Sequence, residues 1–260
     1  MIIAVSGKGG VGKTMLSSLL IKCMIENDVN NFLVMDADPD SNLPSSLGLC
    51  VEKTIGDVRE QLMAEQHALP PGYSKDSYFE YKIFEILTET PNFDLLVMGR
   101  QEGPECYCMI NHILRRVIDT LAKNYSHCII DSEAGLEHLS RRTTLNVDKM
   151  IVVSDLSKNG FETALRIKRL ASDLGARFEN LSLVVNRVEE RYRGLVEERS
   201  SEIGFELLGV IPSDQKIEEA NFHGRSLLEL ENSKALDAVK RIYENLRLPI
   251  VEVAKHERRD

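Results

Sequence analysis

The feature that most constrains the fold is a glycine-rich stretch at residues 7–14, Gly-Lys-Gly-Gly-Val-Gly-Lys-Thr. It lies between a β-branched apolar run at 2–5 and an amphipathic run at 13–28, which predicts a strand that turns tightly into a helix. The spacing fits G-x-x-x-x-G-K-[ST], in which glycines let backbone N–H groups turn towards phosphate oxygens at the positive end of a helix dipole. An inert turn has no need of four glycines followed by Lys-Thr, so the sequence predicts a phosphate-binding loop.

Individual residues of this loop have separable chemical roles. The Lys13 ammonium adds a positive charge beside the β- and γ-phosphates, and the Thr14 hydroxyl is a suitable ligand for Mg²⁺. Lys8 is a second lysine, and because Lys13 already fills the phosphate-facing role, Lys8 is expected to point out of the loop. The predicted nucleotide contacts in this part of the chain are Gly9, Gly10, Val11, Gly12, Lys13, Thr14 and, on the α-phosphate side, Met15.

Short β-branched runs alternate with longer amphipathic runs along the chain. Strands that are almost continuously apolar and are separated by helices indicate a doubly wound, mostly parallel sheet covered by helices on both faces. We therefore predict one α/β domain of the P-loop NTPase type over residues 1–260. The predicted strands are 2–5, 32–35, 94–97, 127–130, 150–154, 181–185 and 207–211, and the predicted helices are 13–28, 110–124, 161–174 and 233–246.

One crossover is longer than the others, at residues 57–93. It contains the helix breaker Pro70-Pro71-Gly72 and a group of aromatic residues. Two interpretations stay open: the rings cover a face of the sheet, or they form a partner-binding surface. The chain closes with a charged tail at 249–260. The aromatic residues of the crossover are Tyr73, Tyr78, Phe79, Tyr81 and Phe84.

The composition of the chain disfavours some classes of binding partner. The 260 residues include 32 Lys and Arg against 41 Asp and Glu, a net charge of −9, which disfavours general nucleic-acid binding. No apolar run approaches the roughly 18 residues of a membrane span, and the N-terminus lacks the basic and apolar regions of a signal peptide. Five cysteines without an export signal favour free thiols or metal ligands over disulfides. We expect a cytoplasmic protein that binds neither nucleic acid nor membrane.

Acidic residues follow two of the predicted strands. Asp36, Asp38 and Asp40 occupy alternate positions after the run at 32–35, and Asp131 follows the run at 127–130. Carboxylates this close repel one another, and a divalent cation or a polarised water among them offsets that cost. A solvated acidic loop is the alternative interpretation for the first group, and Asp40 receives no role.

The loop resembles the deviant phosphate loop of the MinD/ParA, nitrogenase iron protein and ArsA class of dimerising NTPases. The resemblance implies that Lys8 contacts the nucleotide of a partner subunit across a face-to-face dimer. It implies that Asp38, of the Asp38-Pro39 pair, orients the attacking water, while Asp36 acts as a supporting acid near Mg²⁺. Lys8, Lys13 and Asp38 are thus the expected catalytic residues.

The same resemblance extends to three later strand ends. Asp131 matches the Walker B aspartate that holds a Mg²⁺-bound water, and Gly135 matches the switch that approaches the γ-phosphate. Asn186 ends a strand where relatives use the amide to read adenine, and Pro212 lies in a segment that resembles the loop closing over the base. ATP and Mg²⁺ are the expected cofactors, although Asn186 and Pro212 are also consistent with plain strand ends.

A pair of cysteines, Cys106-Tyr107-Cys108, indicates a second kind of chemistry. One intervening residue lets two thiolates approach a common soft metal, but a tetrahedral site needs about four ligands. The missing pair must come from elsewhere in the chain or from a second copy related by a two-fold axis. Four sulfurs suit Zn²⁺ or square-planar Ni²⁺. Cys23 and Cys128 are expected in the core, whereas Cys50 and His112 receive no role.

A deviant loop together with Cys-Tyr-Cys is similar to the CooC-type nickel-insertion ATPases. That resemblance implies a homodimer that delivers nickel to a nickel-iron-sulfur client, either carbon monoxide dehydrogenase or acetyl-CoA synthase. Met15, and Ser132-Glu133 in the switch, depart from the pattern of many relatives. The alternative is a MinD/ParA-like ATPase that acts in membrane or DNA positioning and leaves the cysteine pair unexplained.

Overall fold

The computed structural model describes residues 1–64, 75–99, 121, 124–132, 147–173 and 179–249. Within these residues, none of the helices has the length and apolar character needed to cross a bilayer. The strands are β1 (Ile2–Gly7), β2 (Phe32–Ala37), β3 (Thr88–Glu89), β4 (Phe93–Val97), β5 (Cys128–Ser132), β6 (Lys149–Ser154), β7 (Asn180–Val185) and β8 (Glu206–Val210). The helices are α1 (Lys13–Glu26), α2 (Leu43–Leu47), α3 (Ile55–Ala64), α4 (Lys75–Glu85), α5 (Lys158–Asp173), α6 (Arg193–Glu202), α7 (Gln215–Phe222) and α8 (Lys234–Leu246).

The strands form one sheet in the order β3-β4-β2-β5-β1-β6-β7-β8. All neighbours are parallel except β3 and β4, which pair antiparallel through two residues of β3. The predicted doubly wound, mostly parallel α/β fold is confirmed. The strand order reverses around β1, and ligands of such sheets bind at the carboxyl edge beside that reversal. The phosphate loop follows β1 at this place.

Side chains of the central strand alternate between two apolar layers. Ile3 and Val5 of β1 face the layer that contains α1 and α8, whereas Ala4 faces the layer that contains α5. Leu16 and Leu19 of α1 are fully buried in the first layer, where each contributes about 2 kcal/mol to the free energy of unfolding. The helix that follows the loop is therefore held rigidly against the sheet. Cys23 and Cys128 are completely buried, as predicted.

The long crossover folds into α3 and α4 before β3. Phe79 and Ile83 of α4 are buried and pack in the α5 layer, so one of the aromatic rings covers the sheet as the first interpretation expects. Tyr81 and Phe84 remain 52% and 47% exposed. Several predicted features lie outside the described residues: Tyr73, the breaker at 70–72, the tail beyond residue 249, and the predicted helix 110–124 apart from Leu121 and Asn124.

Candidate functional site

Glycine shapes the loop between β1 and α1. Gly12 has φ 97°, in the left-handed region, and is the residue that immediately precedes the helix. A Cβ atom at Gly12 would collide with the amide of Asn186, so both the backbone and the packing require glycine here. The first N–H groups of α1 have no partner within the helix and point towards the loop. The loop therefore has the backbone shape that the sequence predicts for phosphate binding.

Lys13 faces the inside of this loop. Its side chain is only 7% exposed, and the ammonium Nζ donates to the Lys8 carbonyl oxygen at 3.5 Å. A cation held this way stands where negatively charged phosphate oxygens would enter. The side chain of Lys8 is half-buried. Its predicted contact with a partner subunit stays a prediction.

Two buried aspartates lie side by side behind the loop. The parallel register of β2 and β5 places Asp36 directly opposite Asp131, and each is 1% exposed. Burial and the neighbouring Asp131 charge raise the pKa of Asp36 to about 7, although the N–H groups of Asp38 and Leu43 donate to its oxygens at 3.0 Å. The site thus contains a close pair of acids that resist ionising together.

Asp131 is the member of this pair that suits a cation. Burial raises its pKa to about 6, while the hydroxyls of Thr14 and Ser17 and the charge of Lys13 act in the opposite direction. Ser17 Oγ donates to Asp131 Oδ1 at 3.1 Å, but Oδ2 is buried without a hydrogen-bond partner among the described residues. An orphaned carboxylate oxygen near the Thr14 hydroxyl fits Mg²⁺ with its bound waters. Thr14 and Asp131 are the residues that would hold it.

The segment after β2 forms a tight turn at the rim of the site. Asp38 Oδ1 accepts from the N–H of Asp40 at 3.0 Å, and the N–H of Ser41 donates to the Asp38 carbonyl at 2.9 Å. Ser41 has φ 50°, a left-handed conformation that costs a non-glycine residue about 1 kcal/mol. Asp40 therefore has a local function that the sequence did not indicate: its N–H fixes the carboxylate of Asp38.

A cavity of about 510 Å³ joins the loop to the segments after β2, β7 and β8. Three residues with predicted roles, Val11, Asp36 and Asp131, are each 1% exposed and do not line it, and Lys8 does not line it either. The volume suits a nucleotide, with the loop at one end and the β8–α7 connection at the other. Predicted residues that line the cavity are Gly9, Gly10, Gly12, Lys13, Thr14, Met15, Asp38, Asn186 and Pro212.

Asn186 lies at the junction of the loop and the base side of the cavity. It is 1% exposed; its Nδ2 donates to the Val11 carbonyl at 2.8 Å, and its Oδ1 accepts from the N–H of Arg187 at 2.9 Å. The amide keeps one further N–H and one further lone pair for an adenine base. Its role in reading adenine stays a prediction.

Two residues of the site were missed in the sequence. Ser17 lies one helical turn after Thr14 and therefore on the same face of α1, a spacing that could have indicated its contact with Asp131. Arg187 donates from Nη1 to the Gly10 carbonyl at 3.1 Å, and no local pattern predicts that contact because 177 residues separate the partners.

The match to known proteins agrees with this geometry. Residues 2–227 match the family described as the CobQ/CobB/MinD/ParA nucleotide binding domain. The chain belongs to this family. It is 51% identical to an uncharacterized ATP-binding protein of Methanocaldococcus jannaschii over 249 residues, which cover 95% of this chain and 98% of that protein. It is 29% identical to the carbon monoxide dehydrogenase accessory protein CooC of Rhodospirillum rubrum, over 88% of this chain and 90% of CooC.

Solved structures of the family share the fold. The cell division ATPase MinD of Pyrococcus furiosus superposes with a TM-score of 0.70 and 23% identity, over 94% of this chain and 97% of MinD. At this identity the similarity concerns the fold alone. Membership of the CobQ/CobB/MinD/ParA family and a complete phosphate loop with its acidic pair together make this chain an ATPase.

The predicted soft-metal site cannot be placed in the same way. Cys106, Cys108, His112 and the switch residue Gly135 lie outside the described residues. Among the residues that are described, no group of three or more His, Cys, Asp or Glu side chains is arranged to hold a metal ion. Cys50 is a free and exposed thiol.

Proposed function

We propose that this ATPase is a cytoplasmic metal carrier. Two copies of the chain hold one Ni²⁺ or Zn²⁺ through Cys106 and Cys108, and the nickel is delivered to the active-site cluster of a carbon monoxide dehydrogenase or an acetyl-CoA synthase. The observation that carries the proposal is the Cys106-Tyr107-Cys108 pair in a chain that aligns with CooC over 88% of its length. Cysteine pairs from two copies complete a four-sulfur site without any further ligand.

ATP controls the metal site in this proposal. Lys13 and the loop bind the phosphates, Thr14 and Asp131 hold Mg²⁺, and Asp38 orients the water that attacks the γ-phosphate. Lys8 of each copy contacts the nucleotide bound to the other copy, so the ATP-bound state brings the two cysteine pairs together. Hydrolysis to ADP and phosphate removes that contact and weakens the hold on the metal.

The double variant Cys106→Ser/Cys108→Ser tests metal binding directly. Size-exclusion chromatography with a non-hydrolysable ATP analogue, followed by nickel quantification, is expected to give about one Ni²⁺ per dimer for the parent protein and none for the variant. Nucleotide affinity should be nearly unchanged in the variant. Cys50→Ser is the matched control because it removes an exposed thiol from the described part of the chain, and it should bind nickel like the parent.

Delivery requires a separate measurement. Nickel-loaded dimer and ATP are added to nickel-free carbon monoxide dehydrogenase, and CO oxidation should appear with ATP but not with the non-hydrolysable analogue. Retention of the metal by the double variant would contradict the proposal. ATP-dependent binding to anionic vesicles or to DNA that survives loss of both cysteines would instead support a MinD/ParA-like positioning function.

A further inference from the structure

Two consecutive residues after β7 hold two consecutive carbonyl groups of the phosphate loop. Asn186 Nδ2 donates to the Val11 carbonyl at 2.8 Å, and Arg187 Nη1 donates to the Gly10 carbonyl at 3.1 Å. Asn186 and Arg187 line the same cavity as Gly10 and Gly12, and they contact the loop through its carbonyl groups. The loop is thus braced by a neighbouring strand end rather than by its own backbone alone.

Because the peptide bond is planar, the two contacts that fix the Gly10 and Val11 carbonyls also fix the direction of the N–H groups that bind phosphate. In a trans peptide the carbonyl of one residue and the N–H of the next point in opposite directions. Because the Gly10 and Val11 carbonyls point towards Arg187 and Asn186, the N–H groups of Val11 and Gly12 point away from those side chains and into the loop. The Val11 N–H has only a long contact of 3.5 Å with the Lys8 carbonyl inside the loop, which a phosphate oxygen can replace. Inward N–H groups form an anion-binding nest.

The backbone of Arg187 is strained as well. Its φ is 58°, a left-handed conformation that a non-glycine residue adopts at a cost of about 1 kcal/mol. The residues on either side are fixed, because the Asn186 N–H donates to the Ser154 carbonyl at 2.8 Å and the Val188 N–H donates to the Ile211 carbonyl at 3.0 Å. Strain that the surroundings maintain beside a ligand cavity points to a function.

We infer that Arg187 is a positioning residue, which fixes the phosphate loop in its phosphate-binding shape through the Gly10 carbonyl. The guanidinium is exposed, no ion pair with a carboxylate is seen among the described residues, and its hydrogen bond goes to the Gly10 carbonyl. The inference rests on nucleotide binding by the loop, and it holds whether or not Cys106 and Cys108 carry a metal.

Arg187→Gly tests this assignment, since glycine keeps the left-handed backbone without strain and removes only the side chain. Arg247→Gly is the matched control. Arg247 is exposed and has φ 47° at the end of α8, away from the cavity. Both substitutions remove one exposed arginine and one strained φ. Thermal unfolding should show that both variants are folded.

Binding of three ligands distinguishes an effect on the phosphate loop from an effect on the adenine side of the cavity. For Arg187→Gly, the dissociation constants of Mg²⁺-pyrophosphate and of ADP should rise about tenfold, the loss of one hydrogen bond to a preorganised site. The dissociation constant of adenosine, followed by ligand-observed NMR, should not change. Arg187→Lys should recover part of the loss, and Arg247→Gly should bind all three ligands like the parent. Unchanged pyrophosphate binding, or an equal loss for adenosine, would overturn the assignment.

Discussion

Asp36 and Asp131 illustrate a conflict between stability and function within single residues. Both carboxyl groups are buried at adjacent positions of β2 and β5, and burial raises the pKa of each, to about 7 and about 6. The nucleotide-free protein therefore carries a destabilising cluster of negative charge near neutral pH. A bound Mg²⁺ ion would remove that cost, which makes the cluster useful only when the nucleotide is present.

Replacing Asp131 with Asn should expose this cost. The folded protein keeps protons on these acids to higher pH than the unfolded chain does, so their contribution lowers the free energy of unfolding as pH rises from about 4 to about 7. Asp131→Asn removes one charge and lets Asp36 ionise more easily. Without nucleotide, we expect the variant to be more stable than the parent by on the order of 1–2 kcal/mol at pH 8 and nearly equal to it at pH 4.

Urea unfolding at both pH values measures this difference. The same variant should lose ATPase activity, and Mg²⁺-ATP should stabilise the parent but hardly the variant. If the variant and the parent differed in unfolding free energy by the same amount at pH 4 and pH 8, the explanation would be contradicted. A change in packing alone would give such a pH-independent difference.

At the scale of elements, one carboxylate joins two helices beside the cavity. Asp214 caps α7 by accepting from the N–H of Lys216 at 2.9 Å. Its other oxygen accepts from Ser233 Oγ at 2.7 Å and from the N–H of Ala235 at 3.0 Å, at the start of α8. Burial alone would raise the pKa of Asp214, but these hydrogen bonds lower it below the ordinary aspartate value. The Pro212 segment is thus anchored to α8.

Asp214→Ala should loosen both helix starts at once. Loss of the α7 cap and of the two hydrogen bonds at the start of α8 costs about 2 kcal/mol of unfolding free energy at neutral pH, measured by urea denaturation. Because the pKa of Asp214 is depressed in the folded state, this contribution is present above the ordinary aspartate pKa and disappears as pH falls through the folded value. Asp237→Ala is the control, since Asp237 is an acidic residue in the first turn of α8 but is not its capping residue, which is Ser233. Equal losses for both variants would exclude the cap as the cause.

Sequence patterns predicted some elements and not others for physical reasons. The sequence predicts β1, the loop and α1, because the periodicity of apolar residues and the spacing of glycines are local properties. It does not predict β3, because two residues carry no periodicity, or α6, because among its ten residues only Val196 and Ser200 are buried. Two contacts of the site depend on strand order, which local sequence does not contain. They are the pairing of Asp36 with Asp131 and the hydrogen bond from Arg187 to the loop.

At the scale of the whole molecule, Lys8 is the residue expected to link ATP to dimer formation. Lys8→Ala should leave the affinity for nucleotide within about threefold of the parent, because Lys13 and the loop make the contacts within one subunit. The variant should stay monomeric with a non-hydrolysable ATP analogue, and its turnover should fall by at least about a hundredfold.

Light scattering coupled to size-exclusion chromatography measures that difference. Lys22→Ala is a suitable control, because Lys22 also lies near the start of the chain but contacts Glu26 and the Leu228 carbonyl instead of the loop. A dimer of the Lys8 variant with ATP would contradict the assignment to the interface.

The shortness of β3 has a consequence for self-association. Among the described residues, only Thr88 and Glu89 border β4 on that side, so this edge offers few free backbone donors and acceptors to a foreign strand. Lateral addition of a strand is hard to start from so short a template at this edge of the sheet. In the proposed cycle, where two copies join and separate with each ATP, a short strand at this edge limits one irreversible route of association.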